Sequence, residues 1–122
     1  PGFFYPPTLV TDIPDDAPLV VEEQFGPVLP VLSFTDIQDA VRRANSTHFG
    51  LGGSVWTQDL EQGADLVSQL ECGIGWVNQH NTFYPEAPLG GVKWSGVGYQ
   101  NGRWGLDEFC TLQVVSTKSN PT

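Results

Sequence analysis

The 122-residue sequence has little positive charge and no long apolar run, and both absences narrow the possible partners. Five Lys and Arg residues stand against fourteen Asp and Glu, which gives a formal net charge of −9. Only Arg42 and Arg43 are adjacent, so the chain lacks the basic stripe that neutralises phosphates, and nucleic acid is not an expected partner. No apolar run approaches the roughly 20 residues that a membrane-spanning helix needs. A membrane partner is therefore not expected either.

Cysteine and histidine are equally scarce. Two cysteines cannot form the dense disulfide framework of small secreted domains, and the N-terminus has no signal-peptide pattern. A reducing, cytoplasmic location is therefore predicted. His48 and His80 stand apart from each other and from the cysteines, so they are interpreted as surface or loop residues and no metal site is predicted.

Neither cysteine has the local surroundings of a nucleophile. An activated thiolate needs a nearby cation, a helix N-terminus or a general base, and no such group adjoins either one in the sequence. Cys72 directly precedes a predicted strand, and Cys110 ends a predicted helix whose inward residues are Leu106 and Phe109. Both cysteines are expected in or near a core, and no catalytic residue is predicted in the chain.

The length and the 39% of hydrophobic residues allow at most one globular domain. The first residue is Pro1 rather than Met, and it leads directly into Phe3, Phe4 and Tyr5, aromatic side chains that preceding chain would normally cover. We therefore expect residues 1–122 to form a single partial domain that belongs to a larger protein.

From Pro27 onward, short β-branched runs alternate with runs of helical period, which is typical of parallel strands joined by crossover helices. Helices are predicted from the N-cap Thr35, with Gln38 completing a capping box, and over residues 59–70. The predicted fold is α/β, a three-layer βαβαβ block with right-handed crossovers. Its strands are predicted at residues 28–34, 51–57 and 73–78, where Gly52 and Gly53 allow a close approach.

The remaining third of the chain has weaker periodicity. Residues 79–92 form a predicted loop that is long for a compact domain, and such loops are often functional. A short helix is predicted over residues 102–110 and a last strand over 112–117. The glycines at 96 and 98 are interpreted as turn residues with positive φ rather than as a dinucleotide-binding loop, because Asn101 stands where a third glycine belongs.

Two groups of residues are candidates for binding. Glu22 and Glu23 can accept hydrogen bonds from sugar hydroxyls, although adjacent glutamates more often form a solvated face. Phe25, fixed by the following Gly-Pro, offers a flat surface on which a planar ring can stack. Trp76, Phe83 and Tyr84 either line an apolar pocket at the end of the third strand or, for Trp76, belong to the core.

Three segments in this order resemble the C-terminal part of the catalytic domain of NAD(P)-dependent aldehyde dehydrogenases. They are Glu22-Glu23-Gln24-Phe25-Gly26-Pro27-Val28, Trp76-Val77-Asn78 and Pro88-Leu89-Gly90-Gly91-Val92-Lys93-Trp94-Ser95-Gly96-Val97-Gly98. The similarity extends from Gly2 to the Val114-Val115 pair. It implies an oxidoreductase that uses NAD or NADP and a small aldehyde.

The resemblance also implies roles for single residues. Glu23 would hold the hydroxyls of the nicotinamide ribose and Phe25 would pack beside the nicotinamide, whereas Phe83 and Leu89 would belong to the aldehyde pocket. Residues 113–116 would lie in a strand that contacts another subunit. The family's nucleophilic cysteine, catalytic glutamate and dinucleotide-binding fold lie upstream of the matched region, so the isolated chain is expected to be inactive.

The sequence departs from the family at two places. Leu89 replaces a usual phenylalanine, which should widen the substrate mouth, and Tyr99-Gln100 replaces an Arg-Glu pair, which removes a local ion pair. A second hypothesis remains open: the chain is a standalone, non-catalytic binding or assembly module derived from this fold. Both hypotheses are compatible with a homo-oligomer formed through exposed strand edges.

Overall fold

The computed structural model describes residues 2–119, so Pro1 and the last three residues of the chain lie outside the description. The chain divides into two compact units, residues 1–47 and residues 48–122. We call them the N-terminal unit and the C-terminal unit. No helix in the described part is long and apolar enough to span a membrane.

The N-terminal unit is built on two short parallel strands. Strand β1 (Thr8–Val10) pairs with β2 (Val28–Pro30) in the register Thr8 to Val28, and the short helix α1 (Pro18–Val21) lies between them in sequence. Helix α1 begins with a proline, which suits a first helical position because that residue needs no backbone donor. Its C-cap is Glu22, whose N–H donates to the carbonyl of Pro18 over 2.9 Å.

The α/β class with parallel strands is confirmed, but the predicted strand at 28–34 is shorter than expected and has a different partner. It pairs with Thr8–Val10, a strand that the sequence did not predict, and not with the strand near residue 52. Pro30 has no N–H to donate, so the ladder closes with the bond from Val31 N–H to the carbonyl of Val10 at 2.8 Å. The parallel strands therefore form two separate pairs rather than one three-stranded block.

Helix α2 (Ile37–Asn45) confirms the predicted apolar period, but its N-cap differs from the prediction. Asp36, not Thr35, caps the helix by accepting a 2.7 Å hydrogen bond from the N–H of Asp39. Near the other end, the guanidinium of Arg43 donates to both carboxylate oxygens of Asp15 at 2.5 and 2.6 Å and to the Ser33 carbonyl at 2.9 Å. These hydrogen bonds to Arg43 lower the pKa of Asp15.

The C-terminal unit contains one parallel βαβ unit, as predicted. Strand β4 (Gly52–Val55) leads into helix α3 (Leu60–Ser68), which returns to the parallel neighbour β5 (Ile74–Val77). Asp59 caps α3 by accepting from the N–H of Gln62 over 3.0 Å. The predicted close approach at Gly52 is also found, since a Cβ there would stand 2.6 Å from Cζ3 of Trp76.

Two further strands return the glycine-rich segment to this unit. Strand β3 (Phe49–Gly50) pairs antiparallel with β6 (Val92–Lys93), and a single antiparallel bridge joins Leu89 to Gln100. Gly98 has a φ of 82°, which confirms the positive φ expected there. The chain then enters the short helix α4 (Gly102–Asp107).

The end of the chain differs from the sequence prediction. The strand expected over residues 112–117 is absent: residues 111–119 have no assigned strand or helix, and Leu112, Val114 and Val115 are exposed. Cys110 is exposed and not near a core, and Leu106 and Phe109, which were expected to face inward, are exposed as well. A β-prone segment needs a partner strand before it can form a ladder, and none is present among the described residues.

The observed cap of α2 gives a direct test. We expect Asp36→Ala to lower the free energy of unfolding by about 1 kcal/mol, because the N–H of Asp39 loses its acceptor. Urea unfolding of the chain followed by circular dichroism measures the change. Asp36→Asn, which keeps a capping oxygen, and Thr35→Ala, at the wrongly predicted cap, should each have a much smaller effect. A larger loss for Thr35→Ala than for Asp36→Ala would contradict the assignment.

Candidate functional site

The segment that carries Glu23 and Phe25 is anchored at both ends. On one side, Glu22 ends helix α1, and on the other, Val28 opens strand β2. Between them, the side-chain amide of Gln24 donates to the carbonyl of Val28, and the N–H of Thr8 donates to the carbonyl of Pro27 over 2.8 Å. These hydrogen bonds therefore fix the backbone segment on which Glu23 and Phe25 lie.

Both side chains are free of contacts that would occupy them. The ring of Phe25 is fully exposed, and Glu23 is exposed and makes no hydrogen bond or ion pair with any other described residue. Gln24 and Gly26, on either side of Phe25, line a cleft together with Thr8 and Val28. The unpaired carboxylate of Glu23 can accept hydrogen bonds from hydroxyl groups. The exposed ring of Phe25 can stack on a planar ring.

In the C-terminal unit, Trp76 on β5 is the centre of the second candidate region. Its side chain is 5% exposed, and it is the one hydrophobic residue of the described part that is buried. Its indole N–H donates to the carbonyl of Thr82 over 2.8 Å, and its ring meets Phe83 edge-on, with ring centroids 5.8 Å apart and planes at 76°. Trp76 thus satisfies both interpretations of the sequence, because it is a core residue that also shapes the following loop.

Leu89 reaches the same region from the far end of the predicted loop. Its N–H and carbonyl exchange two 2.7 Å hydrogen bonds with Gln100, which fixes the backbone at Leu89. Gly73, just before β5, allows the segment to pass close by, since a Cβ there would lie 1.7 Å from the carbonyl oxygen of Gly90. The loop of residues 79–92 is therefore held at both ends.

A cavity of about 720 Å³ lies where these parts meet. Phe83 and Leu89, predicted to belong to a substrate pocket, both line it together with Trp76. A smaller cavity of about 150 Å³ is bordered by the same three residues and by Tyr84, the other predicted pocket residue. The structure thus brings together the candidates from the loop, with further lining of the larger cavity from Leu51, Gly52, Ile74, His80, Asn81, Gly90, Gly91, Ser95, Gly96, Val97, Gly98, Tyr99, Gln100, Glu108 and Phe109.

Asn78 has a role that the sequence did not reveal. Its side-chain oxygen accepts from the N–H of Thr57 over 2.8 Å, and its amide donates to the carbonyl of Thr57 over 2.7 Å, so it joins the ends of β4 and β5. The backbone of Asn78 has a φ of 53°, a conformation that asparagine adopts more readily than most residues. An asparagine directly after a strand was the available signal for this turn.

The electrostatics of Cys72 agree with a structural role. Burial raises the pKa of its thiol, although hydrogen bonds with the backbone at Gly53 and Ile74 act in the opposite direction. The Sγ atom lies 3.2 Å from the carbonyl of Ile74, to which the thiol donates. A thiol with a raised pKa carries less thiolate at neutral pH, which disfavours Cys72 as a nucleophile.

The histidines make ring contacts rather than a metal site. His48 stacks on Trp94 with centroids 4.4 Å apart, and His80 meets the edge of Trp76 at 5.1 Å. Within residues 2–119, no group of three or more His, Cys, Asp or Glu side chains could hold a metal ion.

Comparison with known proteins assigns this arrangement to a family. The family model described as "Aldehyde dehydrogenase family" matches residues 1–115. Succinate-semialdehyde dehydrogenase [NADP(+)] 1 of Mycobacterium ulcerans is 44% identical over 94% of this chain, and retinaldehyde dehydrogenase 3 of Rattus norvegicus is 42% identical over 96%. The match covers 25% and 23% of those relatives, so the chain spans about a quarter of their length.

Solved structures give the same answer. A double mutant of betaine aldehyde dehydrogenase from Staphylococcus aureus, in complex with NAD⁺, matches 99% of this chain with a TM-score of 0.93 and 35% identity, over 24% of its own length. An aldehyde dehydrogenase of Mycobacterium tuberculosis complexed with NAD⁺ matches 88% of the chain with a TM-score of 0.84 and 39% identity, over 22% of its own length. From its sequence and its α/β structure, the chain belongs to the aldehyde dehydrogenase family.

Proposed function

We propose that this chain is the C-terminal portion of the catalytic domain of an NAD(P)-dependent aldehyde dehydrogenase, which oxidises an aldehyde to a carboxylate. The observation that carries the proposal is the position of Phe83 and Leu89. Six residues apart on an irregular loop, they lie on the wall of one cavity with Trp76. An apolar cavity of this size is typical of a small-molecule site.

The residues near β2 fit a nicotinamide cofactor. The unpaired carboxylate of Glu23 suits two neighbouring ribose hydroxyls, and the exposed ring of Phe25 suits the face of a planar nicotinamide. When bound, NAD(P) would supply the acceptor for hydride. Glu23 and Phe25 would orient that cofactor, while Phe83 and Leu89 would hold the organic part of the aldehyde and exclude water from it.

The exposed apolar side chains support a place within a larger polypeptide. Phe3, Phe4, Phe25 and Phe109 are all more than 90% exposed. Soluble monomers rarely expose large apolar patches, and such patches usually mark contact surfaces. Further polypeptide with a nucleophilic cysteine and a dinucleotide-binding fold would cover these side chains and complete the enzyme. The two free cysteines are consistent with a cytoplasmic location.

A second candidate function is a non-catalytic assembly module, favoured by one specific observation. Residues 111–119 have no partner strand in the described structure, although Leu112, Val114 and Val115 are strand formers with exposed side chains. Such a segment can pair with the edge of a sheet in another copy. A homo-oligomer is compatible with either function.

The isolated 122-residue chain should not reduce NAD or NADP in the presence of a short aldehyde. The reason is that the nucleophilic cysteine and the dinucleotide-binding fold implied by the resemblance lie upstream of the matched region, and burial, which raises the pKa of Cys72, disfavours a thiolate there. Absorbance of the reduced cofactor measures the rate, with a Cys72→Ser variant as the control. Turnover that disappears in Cys72→Ser would contradict the proposal.

Glu23 can be tested against its neighbour. In the complete enzyme that carries this chain, Glu23→Gln should weaken NAD(P) binding about tenfold, because charge-assisted hydrogen bonds to the ribose are lost. Glu22→Gln, the matched control at the adjacent exposed carboxylate, should change the affinity less than twofold. Calorimetric titration with the cofactor alone measures both. Equal losses in the two variants would argue against a specific contact of Glu23.

The assembly prediction concerns residues 111–119. We expect the chain to be an oligomer in light scattering, and we expect Val114→Lys to shift it toward monomer because a charge in a pairing strand is costly. Ser116→Lys adds the same charge at a polar position and should have the smaller effect. A monodisperse monomer of the unaltered chain would rule out this mode of association.

A further inference from the structure

Among the described lysine, arginine and carboxylate side chains of the C-terminal unit, only a carboxylate lines the cavity. Among the described residues that line it, Glu108 is the only carboxylate, and no lysine or arginine is present. The carboxylate of Glu108 lies close to the backbone of Gly98, since a Cβ on that glycine would stand 3.1 Å from Oε1. Glu108 is solvent-exposed, and the described wall offers a bound molecule this negative charge but no lysine or arginine.

The cations of this unit lie elsewhere. Lys93 on β6 pairs with Glu71, with its ammonium nitrogen 2.7 Å from the carboxylate. Arg103 on α4 is 87% exposed and lies 3.8 Å from Asp107, and Lys118 belongs to the exposed segment at the end of the chain. None of the three lines the cavity.

Much of the remaining wall is apolar, although Asn81, Ser95 and Gln100 also line it. Trp76 and Phe83 present aromatic surface, and Leu89 and Ile74 present aliphatic surface. A carboxylate placed against these groups would lose hydration without gaining an opposite charge, and it would be repelled by Glu108. An alkyl chain would lose no hydrogen bonds and would gain the burial of apolar area.

Resting on the proposed function, we propose that this wall selects uncharged aldehydes with an apolar tail and disfavours aldehydes that carry a carboxylate. Glu108 is the specificity-determining residue for that choice.

A matched pair of substrates tests the selectivity. In the complete enzyme that carries this chain, kcat/KM for hexanal should exceed that for 6-oxohexanoate, which has the same number of carbons and a terminal carboxylate, by about tenfold or more. Equal or better use of 6-oxohexanoate would overturn the selectivity and leave the proposed function standing. If the enzyme oxidised none of the aldehydes tested, including hexanal and 6-oxohexanoate, the proposed function itself would be overturned.

A charge-neutral variant tests the role of Glu108. Glu108→Gln should lower the ratio of kcat/KM for hexanal to that for 6-oxohexanoate about threefold, because one repulsive charge is removed. Glu86→Gln, at an exposed carboxylate that does not line the cavity, should leave the ratio unchanged. An unchanged ratio in Glu108→Gln, or an equal fall in Glu86→Gln, would overturn the assignment of selectivity to Glu108.

Discussion

The burial of one indole ring organises the C-terminal unit. Trp76 lies on β5, beside β4 at Gly52, and its N–H reaches forward to the carbonyl of Thr82. A buried tryptophan contributes a large apolar area, but it also needs a partner for its N–H, and here that partner belongs to the following loop. The same side chain therefore stabilises the βαβ unit and directs the loop toward the cavity. The position of Phe83 depends on this link between core and loop.

Most of the other large apolar side chains of the described residues are exposed to solvent. Aromatic residues near the beginning of the chain and on α4 are exposed, whereas Trp76 is the buried hydrophobic residue of the described part. The helix caps at Asp36 and Asp59 form without an extensive core because their hydrogen bonds are local. The exposed surface is what a portion of a larger catalytic domain would present to the polypeptide that completes it.

Helices α2, α3 and α4 could be predicted from the sequence because their signals are local, whereas α1 was not predicted. The apolar period of α2, the helix that begins near Asp59 and the short helix after Asn101 were all visible in neighbouring residues. The errors have physical causes. The N-cap of α2 is Asp36 and not the predicted Thr35. Two adjacent residues can both supply a capping oxygen, and the backbone conformation decides which of them does. Strand β1 was missed because three residues carry too little periodic signal.

The sequence by itself determined the family, the α/β class and the candidate residues Glu23, Phe25, Phe83 and Leu89, because ordered motifs and hydrophobic periods depend on the residues in order. Only the tertiary structure decided that β2 pairs with β1, that residues 111–119 remain without a strand partner, and that Glu108 joins Phe83 and Leu89 at one cavity. Strand pairing and the charge of a cavity wall arise between residues far apart in sequence, and such contacts have no local signature.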